Sequence, residues 1–140
     1  MPARSMLAWQ HIAWANDIYK NCELQIVVCG VEFIRNDDCI NNVPCTPSSM
    51  FKKCFAWFTQ NACLCCSAQT VYFVNSIQGA IGCSYIAGGN FIIVDPSPAN
   101  NGALAQELGH NAGLGHSNDP NNFMCGTCNV PATGITKFQC

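Results

Sequence analysis

The residues whose types and spacing can do chemistry lie in one stretch, Ala105-Gln-Glu-Leu-Gly-His110-Asn-Ala-Gly-Leu-Gly-His116. Gln106 and His110 are four apart, so on a helix they project from one face a turn apart, a spacing suited to gripping one metal ion. Gly113 can adopt the left-handed conformation that ends a helix and reverses the chain, returning His116 toward the same ion. Zinc in hydrolytic sites takes three protein ligands and keeps a fourth position for water, whose pKa falls toward about 7. Glu107 is then placed to accept that water's proton and hand it to a leaving amine. Gln106 is the weak member of the ligand trio, because an amide oxygen is a neutral and poor zinc ligand beside imidazole. His11 is the only other histidine; it falls in an N-terminal helix and is not expected to reach the ion.

Elements able to position these side chains can be read from periodicity. Over residues 5–21, Leu7, Ala8, Ile12, Ala15 and Tyr19 recur at helical steps and predict an amphipathic helix. Alternation over residues 24–33 predicts a strand with a bulge at Gly30. Residues 36–49 read as a loop that Cys39 and Cys45 could staple, and residues 50–61 as a short helix, with Cys63, Cys65 and Cys66 crowding the turn after it. Three short strands are expected at 70–74, 81–85 and 91–94, with Gly79 and a Gly88-Gly89-Asn90 turn between them. A helix carrying the metal-site residues begins near Ala103. The order helix, strands, helix predicts a mixed α+β domain.

The chain has 140 residues, 49% of them hydrophobic, enough for one domain with one core. A net charge of -2 with only 10% charged residues leaves no basic patch, so neither nucleic acid nor an anionic membrane surface is an expected partner. No apolar run approaches the roughly 18–20 residues needed to cross a bilayer, and the first seven residues lack the apolar core of a signal peptide. Twelve cysteines, an even number, point instead to an oxidising, extracellular compartment. The two observations are reconciled if residues 1–140 are a mature form or a fragment of a longer precursor. Thr136-Lys-Phe-Gln139 has the spacing of a capping box, which normally opens a helix, and predicts that a C-terminal helix is missing.

The stretch from Gln106 to His116 resembles the metzincin branch of the zincin metallopeptidases, whose pattern is H-E-x-x-H-x-x-G-x-x-H followed by a methionine-containing turn. Glu107, His110, Gly113 and His116 match it, Leu108-Gly109 and Leu114 are similar to the family's usual fillers, and Asn122-Phe-Met124 looks like the methionine turn. The departure is Gln106, which stands where the first histidine belongs. The resemblance covers roughly residues 70–140. It implies a zincin-like mixed β-sheet with an N-terminal helix and an active-site helix, stapled by disulfides. It further implies a zinc-dependent metalloendopeptidase, with His110, His116 and Gln106 as metal ligands, Glu107 as general base and Met124 as structural support beneath the metal. The expected substrate is an extended peptide or protein pairing with the edge strand at 81–85, and the expected state is a secreted monomer.

Two alternatives stand beside this reading. Gln106 supports a catalytically impaired pseudoprotease that serves as a secreted binding module; a disulfide-stabilised interaction domain without metal leaves Glu107 and both histidines without a role. Cys125-Gly-Thr-Cys128 has the form of a redox or zinc pair, and Cys63-Leu-Cys65-Cys66 could supply further thiolates, yet disulfides are the expectation for all twelve cysteines, with connectivity left open. Met124 taken alone is most simply a core residue, as are Trp9, Trp14 and Trp57 core or rim residues.

Overall fold

The computed structural model describes residues 3–33, 37–45, 69–84, 91–97, 101–128 and 132–140. Helix α1 (Ala3–Tyr19) runs into a single 3-10 turn at Lys20–Cys22, and Glu23, with φ 58°, returns its N–H to the Lys20 carbonyl and stops the helix. The residues that α1 buries completely are His11, Ala15 and Ile18, three or four apart, with Ile12, Trp14 and Tyr19 packing beside them. The expected helix is therefore present, but its fully buried stripe runs through His11, Ala15 and Ile18, while Leu7, Ala8, Ile12 and Tyr19 of the predicted apolar stripe are only half-buried.

Beyond α1 come α2 (Asp37–Ile40), β1 (Val43–Pro44), β2 (Thr70–Phe73), β3 (Ile77–Gln78), β4 (Gly82–Ser84), β5 (Phe91–Val94) and α3 (Ala103–Asn111). Strand β5 is the middle of a three-stranded sheet, parallel to β2 (Tyr72 opposite Ile93) and antiparallel to β4 (Cys83 opposite Ile93). A strand buried on both faces needs apolar side chains at every position rather than every second one, which is why Ile92, Ile93 and Val94 follow one another. Ile92 and Val94 join Ala15, Ile18, Ala103, Leu104, Ala105, Phe123 and Met124 on the helical side, while Ile93 joins Tyr72, Val43, Val74 and Ile77 on the other. The two helices meet where the Tyr19 hydroxyl donates to the Ala105 carbonyl at 2.7 Å and its ring meets Phe123 edge-on. The mixed α+β architecture predicted from the sequence is the one observed.

Two local readings are corrected. Residues 24–33 form no strand: no described strand lies beside them, and the backbone of Ile26 is instead clamped to α1 by both ends of the Asn16 amide (2.6 and 3.3 Å). Val27 stands 77% exposed there. Alternating side chains make a strand only when a neighbour completes the ladder. Nor are residues 37–45 a plain loop, because α2 and β1 are pinned by bonds from Asn75 and Val43 to the carbonyls of Ile40 and Ser76, and β1 pairs with β3. The helix expected at 50–61, the cysteines at 63, 65 and 66, Tyr85 and the 88–90 turn lie outside the described residues.

Disulfides join Cys22 to Cys140, Cys45 to Cys83 and Cys125 to Cys128, and among the described residues no cysteine is free. The capping box at the C-terminus forms reciprocally: the Gln139 N–H reaches Thr136 Oγ1 at 3.3 Å and the Thr136 N–H reaches Gln139 Oε1 at 2.9 Å. The Gln139 amide also pairs with that of Asn122, whose Oδ1 receives the N–H of Met124. The box thus braces the turn beneath α3.

Candidate metal centre

Helix α3 ends in the manner its glycine predicts. Gly113 has φ 97°, its N–H bonds to the His110 carbonyl, and the Leu114 N–H bonds to the Gly109 carbonyl, the paired bonds of a Schellman ending. The turn does more than stop the helix. It aims the Leu114 carbonyl at His110, whose Nδ1 donates to it at 2.8 Å. With the proton on Nδ1, Nε2 keeps its lone pair. Gly113→Ala is expected to destabilise the fold by about 1–2 kcal/mol, measured by urea denaturation, because the backbone strain is unrelieved. A new Cβ there would meet nothing within 4 Å, so the loss is conformational and not a clash.

Past the turn, the chain brings His116 back as predicted. The Nε2 atoms of His110 and His116 face each other at 3.0 Å, with the ring planes 72° apart. A tetrahedral zinc about 2.0–2.1 Å from each nitrogen would hold them roughly 3.3 Å apart, so the pair needs to open by only a few tenths of an ångström. The backbone of Gly126 lies against the His116 ring, where even a methyl group would come within 2.7 Å of Cγ. Such a backing limits how far the exposed imidazole can swing.

Gln106 is placed differently. Its Nε2 donates to the Cys125 carbonyl at 3.0 Å, so the amide nitrogen is turned to the Cys125–Cys128 loop and the oxygen is the end left to act as a donor atom. Among the described residues no three His, Cys, Asp or Glu side chains converge on one point; the convergent pair is His110 with His116. In donor chemistry, two imidazole nitrogens and one amide oxygen are groups that zinc accepts. His11 does not join them: its Nε2 faces the Ser97 carbonyl at 3.3 Å and its ring meets Phe73 edge-on.

Glu107 is buried between α3 and β4. Burial pushes its carboxyl above the ordinary carboxylate range, and the Ser84 hydroxyl and the electrostatic influence of His110 oppose that rise. Ser84 Oγ donates to Glu107 Oε2 at 2.5 Å. Neither Ser84 nor the Cys125 carbonyl could be singled out from sequence. Nothing in residue type marks which side chain a strand face meets, and a backbone acceptor leaves no trace there. Met124, wholly buried, presses its sulfur against Gly109 of α3, in the space a side chain would otherwise occupy. Its carbonyl receives the Ser117 N–H at 2.9 Å, tying the turn to the segment that carries His116.

No curated protein matches the chain. Residues 4–137 match the family described as Reprolysin (M12B) family zinc metalloprotease, nearly the whole length and well beyond the motif itself. With that extent and the facing pair His110 and His116, the chain belongs to the reprolysin (M12B) family of zinc metalloproteases.

Proposed function

We propose that the chain is a zinc-dependent endopeptidase that holds the ion through His110 and His116, with the Gln106 amide oxygen as a weak third ligand. The observation that carries this reading is the facing of the two Nε2 atoms at 3.0 Å, one imidazole oriented by the Leu114 carbonyl. Zinc, when bound, supplies a polarised scissile carbonyl and a water acidic enough to lose its proton near neutrality. Glu107 accepts that proton as the water oxygen bonds to the carbonyl carbon. It delivers the proton to the amide nitrogen as the carbon–nitrogen bond breaks, leaving a carboxylate and an amine. Met124 supports α3 from beneath. An extended peptide or protein substrate lies along β4, which pairs only with β5 among the described strands, and uses its backbone to hydrogen-bond the edge turned away from β5, beside the Cys45–Cys83 disulfide. The disulfides support a secreted protein, acting as a monomer. Among the described residues no helix is long and apolar enough to cross a membrane.

A second reading, a pseudoprotease that serves as a binding module, is favoured by the engagement of Gln106 with Cys125. Elemental analysis of oxidatively folded protein, beside a His110→Ala control and a general peptidase assay, separates the two. About one zinc per chain that vanishes in the control, together with cleavage, is the expected result. Zinc without cleavage favours the binding module, and no zinc rejects the catalytic reading.

A further inference from the structure

The Glu107 side chain lies along the face of β4 that carries Gly82 and Ser84, two residues apart and hence on the same side of the strand. At Gly82 a Cβ would fall 2.6 Å from both Cγ and Oε1 of Glu107, so the absence of a side chain there is what admits this end of the carboxylate. At Ser84 the hydroxyl lies 2.5 Å from Oε2 and 3.2 Å from the Glu107 backbone carbonyl. Its single proton goes to the nearer acceptor, the carboxyl oxygen. One carboxylate oxygen is therefore held by a hydrogen bond, and the other packs against Gly82.

We infer that Ser84 is a positioning residue for Glu107, fixing Oε2 so that Oε1 is the oxygen that exchanges the proton with water. This rests on the hydrolytic reading above. The same strand then does two jobs: its edge turned away from β5 receives the peptide backbone while its inner face orients the base, so substrate and base share one support. A glutamate has three rotatable bonds, and a small misplacement of a reacting group can lower a rate about 100-fold.

Ser84→Ala is expected to lower kcat roughly 10- to 100-fold, the range expected for a lost hydrogen bond to a charged group, with KM and bound zinc unchanged. Ser84→Thr, which keeps the hydroxyl, is expected to restore most of it. A readout independent of turnover comes from the three glutamates, Glu23, Glu32 and Glu107. In zinc-free protein carrying 13C at the glutamate carboxyls, the signal that disappears in Glu107→Gln is expected to move in Ser84→Ala and to stay in place in Ser84→Thr at the same pH. If the wild-type chain cleaves nothing, the substitutions are repeated in Gln106→His, which separates failure of the zinc site from failure of this inference. Should Ser84→Ala not fold, Ser84→Cys, similar in size and a weaker donor, replaces it. An unmoved Glu107 signal, or a loss confined to KM or zinc content, overturns the inference.

Discussion

Glu107→Gln is expected to lower peptide cleavage by roughly 10²- to 10⁴-fold, the usual range for removal of a general base, while bound zinc stays at about one per chain. Glutamine has nearly the same shape but no lone pair basic enough to take a proton from water. Glu107 is not among the proposed ligands, so the ion should remain, and elemental analysis on the assayed sample checks this. Equal loss of zinc and activity would mean that Glu107 acts on the site's assembly instead. The pH dependence has a definite sign. Burial favours the neutral carboxyl and holds its folded-state value above the ordinary range, so in the zinc-free protein its contribution to stability is full below the unfolded-state value and is lost as pH rises through the folded one. Glu107→Gln, neutral at every pH, should therefore melt at a higher temperature than the zinc-free wild type above that range and not below it.

Gln106→His is expected to raise zinc affinity at least 10-fold, measured by competition with a chromophoric chelator, and to raise cleavage with it. Loss of a residue that merely orients a ligand costs roughly 10- to 100-fold, so gain of a ligating imidazole should count for no less. The site already contains what the new ring would need. At His110 a backbone carbonyl, that of Leu114, takes the Nδ1 proton and leaves Nε2 to the ion; at position 106 the Cys125 carbonyl stands 3.0 Å from the present amide nitrogen and can take a ring proton in the same way. Imidazole also brings a softer, stronger donor than an amide oxygen. If neither affinity nor activity rises, the weakness of the site lies outside position 106.

Much of the candidate site's geometry was legible in the sequence because it is local. Four-residue spacing puts residues 106 and 110 on one helical face, Gly113 supplies a positive φ, and the helix begins at Ala103 and turns after Asn111 as those residues require. The strand at 91–94 was legible for a similar reason, since a run of bulky apolar residues of that length suits a strand covered on both sides. The Thr136 and Gln139 capping box also formed as its spacing predicted.

Tertiary structure decided whatever depended on distant neighbours. Residues 24–33 carry strand-like alternation, but no described strand lies beside them, so the Asn16 amide takes the backbone of Ile26 instead. Helical periodicity in α1 could not reveal that His11 would be buried against the 95–97 segment, 86 residues away from the Ser97 carbonyl it faces. The pairing of Cys22 with Cys140 spans 118 residues, and no count of cysteines selects it from the alternatives. The grip of Ser84 on Glu107 and of Cys125 on Gln106 belongs to the same class. Residue type and spacing determine which groups a short segment can present, because backbone geometry repeats over a few residues; which groups they meet is set by how sheet, helix and turn pack, and that information is spread over the whole chain.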